Sequence, residues 1–456
     1  MRRGLVAALP PALLAAVLAA TAAPSTLAGA ADDTDARPVL EPVRSDTGPE
    51  QDPGQVAARL APLTGDTKKL GKSAATVVID AESGRTLYDD EGSTALIPAS
   101  TNKIPTSAAV LASTDPDRRL TTRVTLSGSE ITLVGGGDPL LTSRRTVREP
   151  GYPTYPQPTS LRHLAAQTAA RLRGMSLDRV RVTVDDSFFD GPAWNPSWPE
   201  YYRTEGIVAP VSALIVDDGR EGGGEWAPIS TDPALSAGRV FADLLKKKGI
   251  GTKGAITRGR PAENAEELAA VESAPIYELV QQTLTTSDNQ TAENLFRLAG
   301  RFAGFGGSFD GGSRAVQKAL ESLGVSTVLC SFVDGSGLSR DNALTANLLT
   351  DVLRRSVRSQ DGLWPIASGL AVAGVNGTLR NRFVSTETNS AAGWLRGKTG
   401  TLNYVSSLAG FVQSRSGRLL VFASLANEAK SSYEAGLHID RIAAAAADCG
   451  CPGDSR

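Results

Sequence analysis

PASTNKIPTS, residues 98–107, decides how the chain is read. Pro98 closes an extended approach, and an alanine-rich helical pattern begins near Ser100. Ser100 and Lys103 then stand one helical turn apart on one face. At the start of that helix the backbone N–H groups and the dipole favour negative charge developing on the serine oxygen. A Ser-x-x-Lys pair alone is weak evidence in a long chain, but Lys103 is the one lysine here with a serine three positions before it.

Two further stretches give the pair meaning. Lys398-Thr399-Gly400-Thr401 opens a strand pattern, and Ser287-Asp288-Asn289 lies in a loop flanked by helical periodicity. A lysine is a poor base at its ordinary pKa of about 10.4. A site built on Lys103 must therefore depress that value, by burial or by a neighbouring cation such as Lys398. Ser287 can relay the proton to a leaving amine, and Asn289 can hold a substrate amide. A strand carrying Lys398, Thr399 and Thr401 can pair with an extended peptide end and take its carboxylate. Separately these are a surface lysine, a turn and a loop; their joint occurrence in this order is poorly explained by coincidence.

Composition removes competing chemistries. The chain has 456 residues, 41% hydrophobic, with a formal net charge of −2 and no sustained basic patch, so nucleic acid is not an expected partner. Lys246, Lys247 and Lys248 end the amphipathic run VFADLLKKKGI, where cations suit a helix C-terminus. His163 and His438 are the only histidines, and neither GxSxG nor HExxH occurs, so a hydrolytic base here is not imidazole. His163, in LRHLAAQTAARLRG, reads as a solvated or capping residue. Gly135, Gly136 and Gly137 lack the Lys-Ser/Thr of a phosphate loop and read as a tight turn before Asp138-Pro139. No cofactor or metal is expected. Cys330, Cys449 and Cys451 make an odd count, read as one bridge between Cys330 and one of the C-terminal pair plus one free thiol.

Residues 1–30, with Arg2 and Arg3, an apolar run and small residues up to Ala30, fit a secretory signal, which implies export. An uncleaved anchor is the competing reading, weakened by Pro10 and Pro11. Residues 31–53 read as a disordered linker. The first part of a catalytic domain spans 54–120, an insertion 121–272, the second part 273–448 and a short tail 449–456. ATVVIDAESGRTLYDDEG has the signature of a hairpin, EGGGEW that of a glycine turn, and GKTGTLNYVSSLAGFVQS and RLLVFASLANE those of two closing strand runs joined near Ser414 to Gly417. The expected class is α+β, one sheet flanked by helices with an inserted second α/β domain.

PASTNK, SDN and KTGT resemble the three motifs of the penicillin-recognising serine enzymes. The long interval from Ser100 to Ser287 is similar to that of the class C low-molecular-mass penicillin-binding proteins, the D-alanyl-D-alanine carboxypeptidase/endopeptidases. LVGGGDP, DDSFF with PAW, VDGSGLSRDN (333–342) and VNGTLRNRF (375–383) extend the resemblance over about residues 55 to 440. It implies the serine β-lactamase/DD-peptidase-like transpeptidase fold, with an antiparallel sheet, flanking helices and a helical region. It implies attack by Ser100 on the D-Ala-D-Ala bond of peptidoglycan stem peptides, with Lys103 as general base. An oxyanion hole from the N–H groups of Ser100 and Thr401, an acyl-enzyme, and β-lactams as covalent inhibitors follow from the same resemblance. Members that read a diaminopimelate side chain use an acidic residue of the insertion and an arginine after DGSGLS. Arg340 matches the arginine, and Glu200 is the candidate acid. Surface exposure of Glu200 and a structural pair between Arg340 and Asp334 are the competing readings.

The sequence departs from the family pattern in two places. The segment from Asp218 to Asp232 is short where larger members carry a further small domain, so two domains are expected rather than three. Pro105 cannot donate to the carbonyl of Thr101, which predicts a kink in the first helical turn that shifts Lys103. Two other functions stay open. A β-lactamase shares the three motifs, but the long insertion and the absence of a Glu-x-x-Leu-Asn type loop count against it. A retired β-lactam- or wall-binding protein is opposed by the complete motif set.

Overall fold

The computed structural model describes residues 50–144, 155–221, 227–357 and 362–449. The expected signal, nearly all of the linker, residues 222–226 of the glycine turn, and Cys451 with the tail from residue 450 lie outside the described residues.

Strands β1 (Ser73–Asp80) and β2 (Thr86–Asp90) form the expected hairpin, and β9 (Ala371–Val372), β10 (Leu395–Leu402), β11 (Val405–Gln413) and β12 (Leu419–Asn427) complete a sheet in the order β2-β1-β12-β11-β10-β9. Every neighbouring pair in it is antiparallel. The run GKTGTLNYVSSLAGFVQS is therefore two strands. Asn403 and Tyr404 turn the chain between β10 and β11, with Tyr404 at φ +66°. The central strands β11 and β12 are buried almost throughout, because both faces are covered. Alternation sends Val77 and Ile79 to one core and Val78 to the other.

One face carries α1 (Pro53–Thr64), α2 (Thr67–Leu70) and the C-terminal α12 (Ser432–Ala447). The other carries α3 (Lys103–Ser113), α7 (Ile276–Thr286), α8 (Asn289–Phe302), α9 (Phe309–Ser322), α10 (Ala346–Ser356) and α11 (Trp364–Gly369). Between α3 and α7 run β3 (Thr121–Ser127), β4 (Glu130–Val134), α4 (Leu161–Gly174), β5 (Arg179–Asp185), α5 (Tyr201–Thr204), α6 (Pro233–Lys246), β6 (Gly251–Thr252), β7 (Thr257–Arg258) and β8 (Glu266–Glu272). These strands build a second, mixed sheet, β6-β5-β4-β3-β8, with β7 also on β5. Its core, from Val124, Ile131, Val182 and Val184 to Leu164 and Phe241, is its own. The stretch after β5 is different: Phe189, Trp198, Tyr202, Val208 and Val211 pack into the core shared with α3 and α8.

The expected disulfide is not formed. Cys330 packs beside the first core and donates to the Val328 carbonyl, whereas Cys449 is buried in the second core at the end of α12, and both are free thiols. Among the described residues, no helix is long and apolar enough to cross a membrane.

Candidate active site

Ser100 sits in a 3-10 turn, Ala99–Asn102, and the α-helix α3 starts only at Lys103. Pro105 thus falls in the first turn, where backbone N–H groups have no intrahelical partner, and Lys103 still reaches Ser100. Lys103 Nζ lies 3.0 Å from Ser100 Oγ. It also donates to Asn289 Oδ1 at 2.9 Å and to the Ser336 carbonyl at 2.8 Å. Lys103 is fully buried, and that burial lowers its pKa to about 8 against the opposing pull of Glu293, Asp334 and Asp288. Burial, rather than the charge of Lys398, is what depresses it.

The second motif is a helix joint. Ser287 ends α7 in the left-handed conformation at φ +65°, its N–H returning to the Thr283 carbonyl. Asp288 then caps α8 by accepting the Thr291 N–H at 2.9 Å, and Asn289 is the first helical residue. Asn289 is engaged within the protein at both ends, since its Nδ2 donates to the Ile207 carbonyl at 3.2 Å. Each end keeps capacity for one more hydrogen bond.

The third motif is the inner part of β10. Lys398, fully buried, donates to Ser287 Oγ at 2.8 Å and to its neighbour's carbonyl, Thr399 O, at 2.7 Å. Burial first, then the nearby Lys103 and Arg382, hold its pKa well below the ordinary lysine value. Gly400 lets β10 approach the Ser100 turn: a Cβ there would stand 2.9 Å from the Ser100 nitrogen and 2.7 Å from the Pro98 carbonyl. The geometry brings Ser100, Lys103, Ser287, Asn289 and Lys398 together as two hydrogen-bonded groups, Lys103 with Ser100 and Asn289, and Lys398 with Ser287, near enough that the charge of Lys103 helps to lower the Lys398 pKa.

The residues that hold the cluster were not singled out from the sequence. Glu293, fully buried, accepts the N–H groups of Gly335 and Ser336 at 3.1 and 2.7 Å, fixing the turn whose Ser336 carbonyl receives Lys103. Burial pushes its carboxyl up to about 8. The available signal was its place four residues after Asn289, on the same face of α8. Asp334 accepts from Gly337 N, Asn342 Nδ2 and Trp198 Nε1, each at 2.8 Å, and from Ser339 N at 2.5 Å. Thr378, in the VNGTLRNRF segment, hydrogen-bonds Thr399 through its hydroxyl at 2.9 Å.

The insertion reaches this turn directly. Asn195 Nδ2 donates to the Val333 carbonyl, Ser197 to Ser339, and Tyr202 to the Leu338 carbonyl. Arg340, exposed, donates to the Asn403 carbonyl at 3.0 Å, and Asp334 is occupied by the donors above. Glu200, at the start of α5, is exposed and paired with Arg203. Arg340 and Glu200 thus border the loops around Tyr202 without touching each other. The two histidines lie elsewhere: His163 faces Gln167 on α4, and His438 bonds the Leu63 carbonyl.

Comparison with protein families matches residues 56–222 and 225–447 to the D-Ala-D-Ala carboxypeptidase 3 (S13) family. The chain belongs to this family. It is a D-Ala-D-Ala carboxypeptidase, a serine peptidase. This carboxypeptidase is 34% identical to the carboxypeptidase DacB of Mycolicibacterium smegmatis, over 99% of this chain and 98% of that one. Its fold is shared with penicillin-binding protein 4 of Haemophilus influenzae, at a TM-score of 0.69 and 20% identity over 84% of this chain and 97% of the other. The same Haemophilus protein complexed with a β-lactam superposes at a TM-score of 0.65 and 20% identity, over 84% and 97% of the two chains. The carboxypeptidase thus has the expected fold, a sheet flanked by helices with an inserted α/β domain.

Proposed function

We propose that Ser100 is the nucleophile that cleaves the D-Ala-D-Ala bond of peptidoglycan stem peptides through an acyl-enzyme, with Lys103 as general base. The observation that carries this reading is the 3.0 Å contact between Nζ of the fully buried Lys103 and Oγ of the half-buried Ser100. When Lys103 is neutral it keeps two donors for Asn289 Oδ1 and Ser336 O, and its lone pair takes the Ser100 hydroxyl proton. The Ser100 oxygen then attacks the carbonyl carbon, and the backbone N–H groups of Ser100 and Thr401 receive the developing oxyanion.

Ser287, held by Lys398 at 2.8 Å, passes a proton to the departing amine of D-alanine and regains one from protonated Lys103, so the Ser100 proton ends on the amine and Lys103 is neutral again. Asn289 holds the substrate amide with its spare hydrogen-bond capacity. Lys398 with the hydroxyls of Thr399 and Thr401 takes the terminal carboxylate, and Thr378 orients Thr399. Water, activated again by Lys103, releases the acyl group. Arg340 and Glu200 border the part of the cleft where an acidic or zwitterionic stem side chain is read. β-Lactams acylate Ser100 and persist, a reading supported by the β-lactam complex of the Haemophilus relative. DD-endopeptidase action is the same chemistry on a cross-linked amine. The substrate places the protein outside the cytoplasm, at the wall or outer membrane face, in keeping with the signal-like residues 1–30.

The test is D-alanine release from an acyl-D-Ala-D-Ala peptide by the purified protein, beside Ser100→Ala. Release by the wild type alone supports the reading, and equal release by both rejects it.

A further inference from the structure

At the far end of α8 the protein carries a concentration of positive charge that the proposed chemistry does not use. A cavity of about 570 Å³ opens between β3, β4, β5 and the C-terminal end of α8, and five arginines line it: Arg118, Arg119, Arg123, Arg260 and Arg301. The acid on its wall is Asp185, which is buried and accepts the Ser187 N–H at 2.9 Å. Arg123 has Glu267 at 4.0 Å, the outer limit of an ion pair. Among the described residues, no carboxylate lies within ion-pair distance of the other four.

Two of these guanidiniums are held in place by aromatic faces. Arg118 stands 4.5 Å over the Phe302 ring, with Nη1 donating to Thr114 Oγ1, and Arg301 stands 5.0 Å over the Phe188 ring. Arg119 is fixed by donation to the Ser273 carbonyl at 2.8 Å. Like charges gathered without partners repel one another, and stacking on an aromatic face leaves the guanidinium edge free to donate. From Asn289 to Arg301 is 12 positions along α8, about 18 Å at the α-helical rise, so the cavity is separate from the cluster around Ser100.

We propose that this cavity binds a ligand carrying at least two phosphate groups. Five guanidiniums exceed the charge of one carboxylate or one phosphate, and the volume exceeds what a single phosphate fills. Arginine is also the side chain whose planar fork matches phosphate oxygens in pairs. A soluble phosphate polymer and the two-phosphate headgroup of a cardiolipin-type lipid present this same chemistry. Occupation of the site relieves the repulsion among the arginines, so it raises the melting temperature.

The experiment uses the full chain and the Arg260→Gln/Arg301→Gln variant, both positions being exposed. Tripolyphosphate binding is measured by calorimetry at low salt, and sedimentation with cardiolipin vesicles is compared with phosphatidylcholine vesicles. The expected result is saturable one-to-one binding of tripolyphosphate, weakened at least about tenfold in the variant, the loss of one or two charge-assisted hydrogen bonds. Tripolyphosphate binding without vesicle binding identifies a soluble phosphate ligand. Binding of tripolyphosphate and of cardiolipin vesicles, both weakened in the variant, identifies a lipid headgroup. Penicillin acylation, unchanged in the variant, reports that it is folded, and Arg118→Gln repeats the test from the opposite wall. A wild type that binds neither probe, or variants that bind as the wild type does, overturns the proposal.

Discussion

Lys398 Nζ donates to Ser287 Oγ at 2.8 Å, joining the inner strand of the sheet to the joint between α7 and α8. In the proposed mechanism that bond positions the Ser287 hydroxyl for proton transfer to the leaving group. Ser287→Ala is expected to lower peptide turnover by about 10²–10⁴-fold, the usual range for losing a positioned acid or base. The fold should persist, because the left-handed backbone at Ser287 is held by its own N–H bond to Thr283. Steady-state kinetics beside a melting curve test this; full turnover with Ala at 287 contradicts it.

Burial lowers the Lys103 pKa from 10.5 to about 8. A base must be neutral to accept the Ser100 proton, and the neutral fraction falls roughly tenfold for each pH unit below the pKa. The rate of acylation by a penicillin is therefore expected to rise with pH and to level off above about 8. A rate that falls between pH 6 and 8 contradicts this assignment. Lys103→Met removes the base and should cut acylation by at least about 10³-fold.

Glu293 holds the Gly335 and Ser336 N–H groups from a fully buried position. Glu293→Ala leaves two buried donors without an acceptor, a loss of about 2–4 kcal/mol of stability. Acylation should fall as well, because the Ser336 carbonyl loses its fixed place beside Lys103. Chemical denaturation and acylation kinetics read the two effects separately. Undiminished acylation would assign Glu293 to stability alone.

Gly337 has φ +83°, and a Cβ there would stand 1.8 Å from the Ala99 carbonyl. Ala99 itself is held at φ +48°, next to Ser100. Gly337→Ala must push the Ser100 turn away or unfold the 334–337 turn, so its penicillin acylation is expected to be lost and its melting temperature lowered. Wild-type acylation by this variant would show that the turn has slack the packing denies.

Much of this site was legible because its decisive spacings are local. Ser100 and Lys103 meet through one turn of chain, and Asp288 announces a helix start whatever surrounds it. The tertiary partners were not legible. Glu293 reaches a turn 42 residues away, Thr378 meets a strand 21 residues on, and neither spacing has a local signature. The β10–β11 turn was hidden because apolar alternation runs on through Leu402-Asn403-Tyr404-Val405, and the turn depends on a tyrosine at positive φ. The cysteine arithmetic failed for a related reason: Cys330 and Cys449 belong to different cores, which no count reveals.

The central claim is that Ser100 is an acylatable nucleophile. Intact-mass spectrometry of the purified protein after incubation with a penicillin, beside Ser100→Ala, tests it most directly. A persistent adduct of one penicillin is expected on the wild type and none on the variant. An unmodified wild type, or an adduct that survives on Ser100→Ala, contradicts it.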